Sequence, residues 1–479
     1  MIRTQTSARR LAGLKVALAF APWLCAPAAA RPVHAQMWVT TADRKRLLER
    51  QPPASLRPAT DKTLPTLTIQ PDRRFQTIDG FGAALTDASA LLIARMTPAA
   101  RSRLLRELFG HEPGDLGLDT LRVTIGASDF STSQYSYDDP PDGKPDPQLL
   151  HFSIAPARTA VIPVLKEIRA INPGLHIIAS PWSAPAWMKT SGKLVGGTLR
   201  PDYMAAFADY LRRYAAAMAQ AGVRIDMLTV QNEPNFEPTT YPGMRLDATQ
   251  RATLVGKYLG PLLAKSGPKL ELYDWDHNWD HPESPLAVLN DPIARRYITG
   301  VAWHCYDGDV RAQTSVHDAF PDKTAYITEC SGGDWMKGWG AVLDWQVGNL
   351  IIGGTANWAR GVVLWNLALD PDHGPHDGGC SDCRGVVTID HSGAYERNVE
   401  YYALGHASRF LRRGAVRIGL KGAVAGIDAV AFSNTDGSRV VLLLNNTADE
   451  RRFAIADRQG STVVTLAPGE VATLVLSDR

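Results

Sequence analysis

Leu228-Thr229-Val230-Gln231-Asn232-Glu233-Pro234 is an apolar run that ends abruptly in polar groups and a proline. A short apolar run bounded by a breaker reads as a buried strand of a parallel sheet. The plan recurs in Tyr326-Ile327-Thr328-Glu329-Cys330-Ser331-Gly332-Gly333, where a carboxylate again closes a strand and glycines open a loop. The two glutamates stand 96 residues apart, three units of 32, against roughly 31 residues per unit in an eightfold barrel. Glu233 and Glu329 are therefore expected at one mouth of one barrel, where the C-terminal strand ends carry the chemistry. Pro234 adds a constraint: a residue before proline is pushed out of the helical region, so Glu233 is expected to be extended.

Outward from these runs, short β-rich segments alternate with helical patterns between about Phe75 and Leu369, the signature of a parallel α/β sheet or barrel. Eight strands are expected near Gly80–Ala84, Leu118–Ile125, His176–Pro181, Asp226–Gln231, Lys269–Trp275, Ile298–Tyr306, Thr324–Glu329 and Gly361–Asn366. Among the helices, Pro201–Ala221 is the clearest, with a proline suited to its first turn. Beyond about Leu404, strand follows strand: Ala415–Leu420, Ala429–Ser433, Val440–Leu444, Arg452–Ile455, Thr462–Leu466 and Val471–Leu476. Turns such as Asn434-Thr435-Asp436-Gly437 separate them, which makes an antiparallel sandwich the natural reading. The strand-like Leu64–Gln70 precedes the barrel and is expected to join that sandwich. The fold class is thus α/β: a (β/α)8 TIM barrel with an antiparallel β-sandwich side domain. The expected division is 36–74 for an N-terminal segment joining the sandwich, 75–403 for the barrel and 404–479 for the sandwich.

The first 35 residues read as an export signal: Arg3, Arg9 and Arg10 precede an apolar stretch from Leu11 to Ala30, and Val33-His34-Ala35 offers a cleavage site. A secreted or periplasmic location follows. No stable membrane anchor is expected, because Lys15, Pro22 and Pro27 interrupt that stretch and no later run reaches the roughly 18 apolar residues of a span. Lys and Arg (51) nearly cancel Asp and Glu (49), so there is no strong field to hold a polyanion, and nucleic acid is not an expected partner. Twelve tryptophans point elsewhere, since aromatic faces pack on the apolar faces of sugar rings, although core packing competes as the reading of each.

Paired carboxylates at one mouth are the equipment of glycoside hydrolysis. At a separation of about 5 to 5.5 Å one attacks the anomeric carbon while the other protonates the leaving oxygen; a wider gap signals inversion. In that scheme Glu233 needs a raised pKa, whereas Glu329 must stay ionised. The ordinary role of a glutamate is a cap or an ion pair. Two carboxylates at matching strand ends favour the catalytic one.

Around these residues the chain resembles the glucosylceramidase-type members of glycoside hydrolase family 30. The likeness runs through Phe75-Gln76-Thr77-Ile78-Asp79-Gly80-Phe81-Gly82-Ala83-Ala84-Leu85-Thr86-Asp87-Ala88, Leu121-Arg122-Val123 and Ala179-Ser180-Pro181-Trp182-Ser183-Ala184-Pro185. It continues in Gln231-Asn232-Glu233-Pro234, Tyr241-Pro242, His304-Cys305-Tyr306, Thr328-Glu329-Cys330 and Leu364-Trp365-Asn366-Leu367-Ala368-Leu369. The resemblance implies that Glu233 is the acid/base, that Glu329 is the nucleophile, and that Asp87, Trp182, Asn232 and Trp365 hold the glucosyl unit. Asp87 would accept bonds from two hydroxyls, Asn232 would bond the 2-hydroxyl, and the tryptophans would form flat walls. Arg122 is expected either to bond the nucleophile carboxylate and keep it charged or to form a structural salt bridge. His304 and Tyr306 share one face of a strand. Tyr306 is expected to donate to Glu329; His304 reads equally as a core histidine or a substrate contact, and Tyr241 as a loop anchor or an aglycone wall.

The loop His373-Gly374-Pro375-His376-Asp377-Gly378-Gly379-Cys380-Ser381-Asp382-Cys383-Arg384 departs from the animal enzymes. Its His and Cys residues are zinc-ligand types, but an exported chain favours a Cys380–Cys383 disulfide. Alternation along the strands turns Cys305 and Cys330 outward beneath the helices, where buried free thiols are expected. No metal or other cofactor is expected. The function read here is exo-acting, retaining hydrolysis of a β-glucoside or glycolipid such as glucosylceramide. A β-1,6-glucanase or β-xylosidase is the alternative among enzymes, and a non-catalytic carbohydrate-binding protein is the alternative outside them.

Overall fold

A strand covered on both faces has no solvent side, and Thr120–Ile125 and His176–Pro181 are buried at every position. They belong to a closed parallel barrel in the computed structural model of the protein, which describes residues 1, 2, 5, 7, 8, 33–57 and 63–477. Two long strands precede the barrel, β1 (His34–Thr40) and β2 (Thr66–Thr77), with two-residue strands at Glu49–Arg50 and Ala54–Ser55 pairing on β1. The barrel is built from β3 (Gly80–Ala84), β4 (Thr120–Ile125), β5 (His176–Pro181), β6 (Met227–Thr229), β7 (Glu271–Asn278), β8 (Gly300–His304) and β9 (Thr324–Glu329). After a short ribbon strand, β10 (Gly332–Gly333), the last barrel strand β11 (Ala359–Leu364) returns to β3 with Gly361 opposite Gly80. The expected strands are all present. Helix Met204–Gln220 follows β5, and its buried Phe207, Leu211, Tyr214 and Met218 recur every three or four residues, as a single buried stripe requires. Below the mouth, Ile178, Met227, Tyr273, Ala302, Tyr326 and Val363 fill the barrel, so substrate can approach only from one end.

Beyond the barrel come β12 (Cys383–Arg384), which pairs back on β10, and then β13 (Val416–Lys421), β14 (Ile427–Ser433), β15 (Arg439–Asn445), β16 (Arg451–Asp457), β17 (Gly460–Leu466) and β18 (Val471–Ser477). The order β1-β18-β15-β14-β13-β2-β16-β17 builds the sandwich around its own apolar core, including Leu67, Ile69, Val441, Leu443, Phe453 and Leu474. One pairing departs from the antiparallel expectation: β16 lies parallel to β2. The strand β2 runs on to Thr77 opposite Val416. Helix Val399–Ser408 stays on the barrel side of the junction and is buried along almost its whole length. A helix buried all round lacks the polar face that marks it in a sequence, which is why the pattern changes near 404 before the fold does.

Most of the expected export signal, including Arg3, Arg9, Arg10 and Leu11–Ala30, lies outside the described residues. Val33-His34-Ala35 does not: His34 pairs with Ser477, Ala35 pairs with Leu476, and Val33 and Ala35 are buried. Cleavage after Ala35 would take these residues out of the sheet. Among the described residues no helix is long and apolar enough to cross a membrane.

The expectation for Cys305 and Cys330 is corrected. They form a disulfide with Cα atoms 5.4 Å apart. Alternation tells which way each sulfur points, but the register His304 opposite Glu329 puts the next residues side by side on neighbouring strands.

Candidate active site

Arg122 rises from β4 into the barrel mouth, fully buried. Its Nη1 donates to Glu329 Oε2 at 2.5 Å, and its Nη2 donates to Asn232 Oδ1 and Asp276 Oδ2, both at 2.8 Å. The indoles of Trp182 and Trp365 stack with centroids 5.0 Å apart, and the Arg122 Cζ lies 4.7 Å from the first ring and 5.6 Å from the second. Burial works against the Arg122 charge, but Asp276 and Glu329 outweigh it and raise its pKa. The expected bond to Glu329 is thus one arm of a wider network.

Asp276, the hub of that network, is absent from the sequence reading, whose strand ends at Trp275. The observed β7 runs on to Asn278 through a bulge: Trp275 has φ 76°, Asp276 has φ 54°, and the register against β8 slips between Ala302 and Trp303. Asp276 accepts from Ser180 Oγ at 2.5 Å, Thr229 Oγ1 at 2.7 Å and Thr328 Oγ1 at 2.5 Å, besides Arg122. Its Oδ1 meets His304 Nε2 at 3.0 Å. Burial opposes ionisation here, yet Arg122 and His304 hold the carboxyl far below the usual range. The run Trp275-Asp276-His277-Asn278, polar groups closing an apolar strand, is the sequence signal that marks it.

Glu329 closes β9, whereas Glu233 lies in the loop beyond β6 at φ 47° and is not extended. Pro234 disfavours the right-handed helical region but leaves the left-handed one open, and the Glu233 N–H donates to the Asp276 carbonyl at 3.0 Å. Such a backbone conformation costs of the order of 1–3 kcal/mol and is held by the surrounding structure. One carboxylate oxygen of Glu233, one of Glu329 and a ring nitrogen of His304 all lie within 4.8 Å of one another. Tyr306 Oη donates to Glu329 Oε1 at 2.8 Å, as expected, and burial keeps its proton on by raising its pKa well above the ordinary value. His304 is neither a plain core residue nor a pocket wall. Its Nδ1 stands 3.3 Å from Glu233 Oε1 while its other nitrogen faces Asp276. Burial opposes its charge, but Glu329, Asp276 and Glu233 push its pKa up to about 9.

The glutamates themselves shift opposite to the sequence expectation. Burial pushes Glu329 up against the pull of His304 and Arg122; on Glu233, burial is outweighed by the hydrogen bond and charge of His304, and its pKa falls. The two carboxyls interact across a few ångströms and take up protons as one dyad.

Above the dyad opens a cavity of about 480 Å³, and of the expected residues Glu233, Tyr241, Tyr306, Glu329 and Trp365 line it. Trp182 and Asn232 sit against Arg122, which donates to Asn232 Oδ1 and leaves the Nδ2 hydrogens of Asn232 to donate to a sugar hydroxyl. Asp87 is not among the lining residues. It opens helix Asp87–Arg95, and its Oδ2 accepts from Ser131 Oγ at 2.7 Å and Tyr135 Oη at 2.8 Å. The aspartate that lines the cavity beside the two glutamates is Asp129, on the loop that Asp87 braces, and burial with the charges of Glu329 and Glu233 pushes its pKa up to about 8. Four residues beyond the end of β4, it falls outside any strand-end rule.

Sequence comparison accounts for both units of this architecture. The family model for the glycosyl hydrolase family 30 TIM-barrel domain matches residues 78–411, and the one for the glycosyl hydrolase family 30 beta sandwich domain matches residues 414–474. The chain belongs to glycosyl hydrolase family 30. It is a glycoside hydrolase, in a family that works with retention. This family 30 chain is 36% identical over 424 residues to endo-1,6-beta-D-glucanase neg1 of Aspergillus fumigatus, covering 83% of this chain and 84% of that protein. It is 32% identical over 432 residues to the lysosomal acid glucosylceramidase of Mus musculus, covering 84% of this chain and 81% of that protein. Among solved structures, the endo-beta1,6-glucanase BT3312 matches with a TM-score of 0.85 at 31% identity, over 92% of this chain and 99% of that chain.

One wall of the family 30 pocket is the segment Gly379–Cys383, closed by a Cys380–Cys383 disulfide with Cα atoms 5.7 Å apart. A Cβ on Gly379 would come within 2.4 Å of Asp129 Cβ, and one on Gly378 within 2.6 Å of Thr240 Oγ1, so the strap crosses the pocket only as glycine. His373 Nδ1 faces the Cys383 carbonyl at 2.9 Å and His376 Nδ1 the Gly378 carbonyl at 3.1 Å, which supports the disulfide over a zinc-ligand reading. The two bridges should behave differently. Cys305–Cys330 spans 25 residues, and Cys305→Ser is expected to cost about 3 kcal/mol of stability. Cys380–Cys383 spans 3 residues and holds a local wall, with Cys380 half-buried and open to a mild reductant first. Thiol titration of unfolded, unreduced protein is expected to find none of the four sulfurs free; one equivalent of bound zinc would overturn the assignment.

Proposed function

We propose that this family 30 hydrolase cleaves β-1,6-linked glucan within the chain, with Glu329 as nucleophile and Glu233 as general acid and base. The observation that carries the reading is the pair of carboxylates within 4.8 Å at the barrel mouth, close enough for direct attack on the anomeric carbon and too close to seat a water between them. Arg122 and Tyr306 hold the Glu329 oxygens as it attacks, and the one proton that the coupled pair of glutamates shares passes from Glu233 to the leaving oxygen. Esterification of Glu329 removes a negative charge beside Glu233, which lowers the Glu233 pKa and turns it into the base that activates water.

The choice of glucan over the exo-acting glucosidase expected from sequence is supported by the printed activities of the Aspergillus relative and of BT3312. The exposed large apolar side chains that line the pocket are three rings, Phe236, Tyr306 and Trp335. Flat rings of this kind stack on the apolar faces of sugars; glucosylceramide is the second reading, which the mouse relative supports. Export to an oxidising compartment belongs to the same reading, supported by the N-terminal pattern and both disulfides.

A panel of β-1,6-glucan, β-1,3-glucan, an aryl β-glucoside, an aryl β-xyloside and glucosylceramide tests it. Fastest turnover of β-1,6-glucan, with mixed oligosaccharides among the first products, is the expected result; glucose as sole early product, or a preference for glucosylceramide, would overturn it. Glu233→Ala should slow natural linkages by about 10²–10⁴-fold and activated aryl glucosides far less. An equal loss on both would remove Glu233 from the acid role.

A further inference from the structure

A second cavity, of about 410 Å³, takes no part in the chemistry described so far; Arg44, Lys337, Trp339, Arg384, Glu396 and Asn398 are among its walls. It shares a partition with the catalytic pocket. In the ribbon of β10 and β12, Gly332 pairs with Arg384 and Gly333 with Cys383. Successive side chains of a strand point to opposite faces, and here Cys383 lines the catalytic pocket while Arg384 lines the second cavity. The segment after β10 divides in the same way, Trp335 lining the first and Asp334, Met336 and Lys337 the second. A Cβ on Gly333 would come within 1.7 Å of Trp335 Cζ3, so the glycine lets the indole lie down on the ribbon. The two cavities thus lie on either side of one wall, and a flexible polymer that leaves the dyad would reach the second by rounding that wall at Trp335–Lys337.

The lining selects the chemistry of the occupant. Arg384 already bonds Asp334 at 2.6 Å and Glu400 at 3.1 Å, and Arg397 bonds Glu107 at 2.6 Å. An anion would have to compete with those carboxylates. A neutral polyhydroxyl chain would not, since its hydroxyls can donate to Glu396 and accept from Lys337 and Arg44, while the Asn398 amide is spent on Gly385 and Thr388. The Arg44 guanidinium lies 5.8 Å from the Trp339 ring, giving a planar edge of the kind that packs on a pyranose.

We propose that this cavity is a distal subsite for the same β-linked glucan whose scissile bond lies in the catalytic pocket, a site that makes the enzyme favour long chains. The inference rests on the glucanase reading, and the test separates the two. Values of kcat/KM would be measured for β-1,6- and β-1,3-gluco-oligosaccharides from disaccharide to octasaccharide, and for an aryl β-glucoside, with wild type, Arg44→Ala, Lys337→Ala and Glu396→Gln. The expected result is that kcat/KM of the wild type climbs with length, that each variant loses several-fold and the triple variant about tenfold on the octasaccharide, mostly in KM, and that the disaccharide and aryl glucoside are unaffected. A wild type indifferent to length, a loss equal at every length, or no loss at any length overturns the subsite. Turnover confined to the β-1,3 series would sink the linkage reading alone, and the length test would then be read on that series.

Discussion

Glu329→Gln is expected to lower kcat by at least about 10⁴-fold on every β-glucoside tested while the protein keeps its fold. The amide has the same shape, so Tyr306 Oη can still donate to its oxygen and the ring walls stay in place. It has no charge to attack with, and no glycosyl ester can form. The stability cost should be small for two reasons. Burial already works against a charge at this position, and Arg122 retains its bonds to Asp276 and Asn232. Thermal unfolding measured beside kinetics separates the two quantities. Activity close to wild type in a folded variant would end the nucleophile assignment, and with it the retaining mechanism argued from the dyad.

Arg122→Met is expected to destabilise the protein by about 3–5 kcal/mol, because it strands Asp276 and Glu329 as buried carboxylates without their cation. Denaturant unfolding measures this directly. Arg122→Lys keeps the charge and loses the fork, and it serves as the variant for kinetics. Arg122 lowers the Glu329 pKa, so weakening its grip lets that pKa rise. A nucleophile must be ionised, and the acid limb of the pH–rate profile should therefore move to higher pH in Arg122→Lys; an unmoved limb would show that Arg122 does not act through Glu329. His304 sets a separate limit. Its pKa is raised from 6.5 to about 9, so its contribution to stability is complete below about pH 6.5 and is lost as pH rises through 9. Wild-type stability should decline across that window, and a His304→Gln variant should decline less.

The parts of the site that were legible depend on local pattern. Thr324–Glu329 could be delimited to the residue because its β-branched and aromatic run is closed by a carboxylate and the glycines that follow. Arg122, Trp365 and Tyr306 stood at strand ends or on an inward face and do reach the mouth. Other features depend on contacts that no local pattern gives. Asp87 stands just beyond a strand end, and its Oδ2 is braced by Ser131 and Tyr135, which nothing near it in the chain announces. Asp276 enters the barrel through a bulge at two residues with positive φ, neither of them glycine, so the usual marker of such a turn is missing.

By itself the sequence determined the order of the barrel strands, the second β unit and the shared rim of Glu233 and Glu329. Periodicity and spacing along one chain are enough to specify these. Only the tertiary structure decided the hub at Asp276, the link through His304, the Cys305–Cys330 bridge and the place of Asp129 in the pocket wall. Each depends on strand register and side-chain contact between segments far apart, as Arg122 and Glu329 are at 207 residues. No local pattern encodes such distances, because the free energy that selects them comes from the packed interior as a whole.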